Sequence, residues 1–144
     1  MSGDEFDASG PLDVPTLEVL AGRATTHPLV TDVTFEPDSI TLRVLEIHLD
    51  AEQYPDPVTE VRLDIRWFEG GNYSIHYVEA GREEPWQCRW DRHPKPDAPT
   101  EHFHPPPDAG SAIQASQLGA DHHLAVLFAV LEWIQGRLRE HYDE

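Results

Sequence analysis

From Val61 to Trp67 apolar residues (Val61, Leu63, Ile65, Trp67) alternate with Arg62, Asp64 and Arg66, the period of a strand that buries one face. Gly70-Gly71-Asn72 then predicts a turn into a second alternating run, with Tyr73, Ile75 and Tyr77 on one side. After Gly81 a third run places Trp86, Cys88 and Trp90 inward and Gln87, Arg89 and Asp91 outward. Upstream, Leu29–Phe35 and Ile40–Leu49 read as two more strands, joined by Glu36-Pro37-Asp38-Ser39. In the second of these the apolar phase changes from Ile40, Leu42, Val44 to Leu45, Ile47, Leu49, so a bulge is expected near Val44.

Helical periodicity appears at both ends. Pro15 opens a short helix to about Ala24, with Leu17, Leu20 and Ala21 on one face. From Asp121, the expected N-cap, a longer helix runs to about His141 with Leu124, Leu127, Phe128, Leu131, Ile134 and Leu138 as its stripe. Val126, Val130 and Trp133 widen that stripe beyond what one sheet face covers, so either the first helix or another chain packs there. Residues 92–110 are proline-rich and read as a loop, in which Pro105 to Pro107 disfavour further pairing and hold the preceding residues at a sheet edge. The expected fold is α+β: an antiparallel meander of about five strands, packed by a short N-terminal and a long C-terminal helix. Residues 1–11 read as a disordered acidic tail and 12–144 as one domain.

Charge alters this picture. The chain has 27 carboxylates against ten cations, nine of them arginine and one lysine, for a net −17. Near-absence of lysine with acid spread along the whole chain reads as adaptation to molar salt, as in salt-loving archaea. In about 1 M salt the Debye length is only ~3 Å, so distant carboxylates hardly repel an RNA backbone and the local charge of a contact patch decides. The lone Cys88, the acidic amino terminus and the lack of a long apolar run predict a soluble, cytoplasmic protein with no membrane partner.

One patch differs from the rest. Arg89, Arg92 and Lys95 face only Asp91 within residues 86–95, a basic island in an acidic chain. Arg89, Asp91 and His93 share one period-two row, and an extended His102-Phe103-His104 puts both imidazoles on one face. Brought together, the two rows give His, Asp and Arg in one site, the groups that ribose-assisted phosphodiester cleavage needs. In that reading His102 and His104 are acid and base, Asp91 and His93 complete the catalytic group, and Arg89, Arg92 and Lys95 bind phosphate without a cofactor. The same imidazoles with Asp91 also suit a divalent metal held by His93, His102, His104 and Asp91, with Cys88 turned inward. His76 and Tyr73 lie on opposite faces of their strand, so at most one reaches this site, and His122 and His123 fit a capping or packing role.

The order of these residues resembles a known family. A Tyr73-x-Ile75-His76-Tyr77 strand, Arg89-Trp90-Asp91 with His93, a spacer, His102-Phe103-His104-Pro105 and a closing amphipathic helix are similar to the TumE-like toxins of toxin–antitoxin pairs, over residues 55–140. The spacer from Lys95 to Glu101 lacks the further histidines such proteins often show. The resemblance implies a toxin, an antitoxin partner and, if the family's site cuts RNA, a ribonuclease. Beside it stand a non-enzymatic interaction module or homodimer, pairing through Val126, Val130 and Trp133, and the His/Asp metalloprotein.

Overall fold

The alternating runs pair as expected. A computed structural model describes residues 11–37, 43–93 and 100–142. Its elements are α1 (Val14–Ala24), β1 (Val30–Glu36), β2 (Val44–Leu49), β3 (Glu60–Trp67), β4 (Tyr73–Ala80), β5 (Trp86–Arg92), β6 (Glu101–His104), β7 (Gln114–Ala115) and α2 (His123–Tyr142). The strands form one antiparallel sheet in the order β1-β2-β3-β4-β5-β6-β7, each beside its neighbour in sequence. This is the α+β meander flanked by two helices, with seven strands among the described residues where about five were expected.

Register sorts the side chains into two faces. Leu45, Ile65, Ile75, Trp90 and Phe103 follow one another across β2 to β6 and are buried. Leu17, Leu20, Ala21 and Ala24 of α1 and Val126, Leu127, Val130, Leu131 and Ile134 of α2 close over that face in a single core. Val126 and Val130 are fully enclosed, and Trp133 packs edge-on against Trp90 and Tyr77. Two of the three residues expected to bind an antitoxin or a second copy, Val126 and Val130, are therefore spent inside the fold, while Trp133 stays partly exposed. On the other sheet face Glu46, Asp64, His76, Arg89 and His104 follow one another in register.

The helix starts follow local chemistry. Asp13 caps α1, its carboxylate accepting from the Thr16 N–H at 3.1 Å and the Thr16 hydroxyl at 2.7 Å. Asp121, the expected cap of α2, instead accepts from Arg92 at 2.6 Å, and the His122 ring nitrogen takes the Leu124 N–H at 3.2 Å. The helix starts at His123 and the His122 carbonyl takes the Val126 N–H at 2.9 Å, so Asp121 lies one position outside the cap.

Two loop expectations change. Residues 101–104 pair with β5, which satisfies their backbone groups, and β7 then pairs with β6, so the His102–His104 row is not at the edge of the sheet. The prolines do not end the association either: the Gln87 N–H donates to the Pro107 carbonyl at 2.9 Å. The register irregularity among the described residues lies in β1, between Val30 and Asp32, while Val44 pairs regularly with Glu36. Residues 1–10, 38–42 and 94–99 lie outside the described residues, and with them most of the acidic tail, part of the 36–39 turn, Ile40, Lys95 and the spacer up to Thr100. Among the described residues no helix is long and apolar enough to cross a membrane.

Gly81, between β4 and β5, has φ +124°, and a Cβ there would run into the Pro57 carbonyl oxygen and the Thr59 N–H. Both obstacles are backbone, and that φ belongs to glycine alone. Gly81→Ala is expected to cost roughly 1–3 kcal/mol or more. A lower urea midpoint at unchanged slope checks it; an unchanged midpoint would show that the β4–β5 turn relaxes freely.

Candidate functional site

Pairing of β5 with β6 sets Arg89 opposite His104 and Asp91 opposite His102. Directly opposed residues on one face hold their Cβ atoms about 4.5–5.5 Å apart, close enough for polar side chains to meet. The two rows seen in the sequence thus become one cluster. Asp91 and His102 are 1% and 0% exposed, and His93 and His104 are 5% exposed. Burial on the polar sheet face comes from the chain after β6, which turns back through Ala109 (φ +51°) and presents the Gly110 carbonyl to His104 Nδ1 at 2.7 Å.

That contact sets the proton on His104. A carbonyl only accepts, so Nδ1 carries the hydrogen and, in the neutral ring, Nε2 carries the lone pair. Arg89, which only donates, places Nη2 3.1 Å from Nε2 and Nε 3.0 Å from Asp91 Oδ2. His104 Nε2 and Asp91 Oδ2 are themselves 3.0 Å apart. Two lone-pair atoms at that separation repel unless a cation lies against both, and the Arg89 guanidinium does so with two parallel N–H groups. His102 Nε2 stands 3.7 Å from the same Oδ2, and the His93 ring lies 5.0 Å from the His102 ring, edge-on. Asp91 Oδ2 is thus the hub of the cluster, while its buried Oδ1 has no hydrogen-bond partner among the described residues.

Arg92 is elsewhere. Alternation turns it to the helix side, where it donates to Glu101 at 3.1 Å and to Asp121, and its guanidinium covers the Tyr73 ring at 4.9 Å. The structure does not bring it to Arg89. His76 neighbours Arg89 in register and meets Gln87 Oε1 at 2.8 Å; burial lowers its pKa below the ordinary imidazole value, against the Gln87 hydrogen bond. Tyr73 stays in the core, its hydroxyl pushed up to about 12 by burial first and by Glu101 second. Burial likewise raises the Cys88 thiol, in keeping with its inward place.

Asp91, His102 and His104 offer one donor atom each, all within 4.8 Å of one another. Two imidazoles and a carboxylate at that spacing could hold a divalent metal. His93, the fourth expected ligand, stands beside this group without joining it. The Gly110 carbonyl carried no sequence signal, because a backbone oxygen is brought to an imidazole by the path of the loop alone.

No curated protein and no solved structure shows a significant match to the chain. A family model described as Toxin TumE matches residues 19–138, a span that takes in most of α1, the whole sheet and most of α2. It contains every residue of the cluster and extends the resemblance from residue 55 back through β1 and β2. The chain belongs to the TumE toxin family.

Proposed function

We propose that this protein is the toxin of a toxin–antitoxin pair and acts by cutting RNA at the Arg89–Asp91–His104 cluster. The observation that carries the reading is the guanidinium of Arg89, which donates to Asp91 and His104 together and, at 33% side-chain exposure, is the member of that trio most open to a substrate. As the substrate phosphoryl group draws the Arg89 guanidinium off His104 Nε2, that nitrogen takes the proton of a ribose 2′-hydroxyl, and the 2′-oxygen attacks phosphorus. The bond from phosphorus to the 5′-oxygen breaks, and that oxygen receives the proton from His104, leaving a 2′,3′-cyclic phosphate and a 5′-hydroxyl. Arg89 carries the negative charge that develops on the phosphoryl oxygens. Asp91 steadies the imidazolium between the two transfers, and the enclosed His102 and His93 pack behind Asp91 and hold it in place.

The test is direct. Purified protein in about 1 M potassium chloride, where screening confines repulsion to a few ångströms, is expected to cleave cellular RNA to cyclic-phosphate ends. Arg89→Ala should lower the rate roughly 10²–10³-fold, the usual loss when a charge-stabilising donor is removed. Absence of cleavage by the wild type, or a His102→Ala/His104→Ala double variant as toxic on expression as the wild type, would sink the proposal.

A further inference from the structure

The place where Arg89 sits is also the place where a metal would bind. The guanidinium lies against Asp91 Oδ2 and His104 Nε2, two of the three donor atoms that approach one another within 4.8 Å. Donors around a tetrahedral zinc-class ion are roughly 3.3 Å apart. Asp91 Oδ2 lies 3.0 Å from His104 Nε2 and 3.7 Å from His102 Nε2, which brackets that spacing. His104 is prepared as such a ligand: its Nδ1–H is committed to the Gly110 carbonyl, which leaves Nε2 to bind, the usual outer support of a metal-bound imidazole. Asp91 keeps a second, buried oxygen with no hydrogen-bond partner among the described residues. What opposes a metal is Arg89, because a guanidinium and a divalent cation cannot lie against the same two atoms.

We propose that the Asp91–His102–His104 cluster binds a zinc-class divalent ion in competition with the Arg89 side chain, so that metal loading shuts off the metal-free acid–base site. The inhibitory half rests on the ribonuclease reading above; the binding half does not. Metal entry takes the His104 lone pair and displaces Arg89, which is one-third exposed and has room to swing outward. In the metal-free protein Arg89 acts as the internal cation that keeps the donors gathered.

Calorimetric titration of the full-length protein with zinc chloride, without RNA, tests the binding half. One ion per chain is expected, with at least tenfold tighter binding in Arg89→Met and loss of binding in Asp91→Asn. Arg89→Gln, neutral but polar, serves if Arg89→Met does not fold, and a circular dichroism spectrum like the wild type's qualifies each variant. Equal or weaker binding in both Arg89 variants overturns the competition, as does zinc binding that persists in Asp91→Asn. The inhibitory half is read separately as loss of RNA cleavage on adding zinc; stimulation by zinc overturns it. If the wild type cuts no RNA at all, the calorimetric result still decides the competition.

Discussion

Replacing His104 with alanine is expected to slow RNA cleavage by roughly 10²–10⁴-fold, the contribution of a positioned general base. The expectation follows from its two ring nitrogens. Nδ1 is bound to the Gly110 carbonyl at 2.7 Å, so the proton abstracted from a substrate has one place to go, Nε2. Alanine removes that acceptor but leaves Arg89 on Asp91 at 3.0 Å, so the charge proposed to meet phosphate and its carboxylate persist. The loss should therefore fall on kcat more than on KM. Because His104 is buried, the variant also loses stability; a urea titration separates the effects, since a folded variant with cleavage reduced about a hundredfold or more meets the expectation. Cleavage within about threefold of the wild type would place the base on another residue.

How far the site was legible follows from what alternation can and cannot say. A period of two shows that Arg89, Asp91 and His93 share a face, and that His102 and His104 share one, without any structure. It does not show that Arg89 stands opposite His104, because register depends on the turn between the strands. Arg92 illustrates the opposite failure. Its place two residues after Trp90 puts it on the core side, yet closeness in sequence to Arg89 and Lys95 grouped it with them as a basic island; the parity was the better guide. Gln114–Ala115 escaped because a two-residue strand has no period to detect. The apolar breadth of α2 was read correctly: α1 packs on α2, Val126 and Val130 are enclosed, and Trp133 meets the sheet rings while staying partly exposed.

Parity also points to a carboxylate that the search for chemistry passed over. Tyr73, Ile75 and Tyr77 are the buried set of β4, and the next residue in that row is Glu79, 0% exposed. Its Oε2 accepts from the Tyr77 hydroxyl at 2.7 Å and from Arg137 Nε at 2.6 Å, and its Oε1 from Arg137 Nη2 at 3.1 Å and Arg82 at 3.3 Å. Arg137 in turn lies over the Trp86 ring at 3.5 Å, and Tyr54 meets Tyr77 hydroxyl to hydroxyl at 2.6 Å. Glu79→Ala is expected to cost about 3–5 kcal/mol, the usual loss when one partner of a buried ion pair is removed and the other charge remains. Burial by itself would raise the Glu79 pKa, but the hydrogen bonds from Arg137 and Tyr77 outweigh it and hold the group below its ordinary 4.5. A carboxyl that ionises more readily folded than unfolded contributes its full stability above the unfolded value. That contribution drains away as pH falls from there through the lower folded value. Urea unfolding from pH 7 down to pH 4 and below should thus show an acid limb in the wild type that is shallower in Glu79→Ala, with the largest difference between the two near neutral pH. A loss under about 1 kcal/mol at pH 7, or parallel acid limbs, would mean that Arg137 finds another partner once Glu79 is gone.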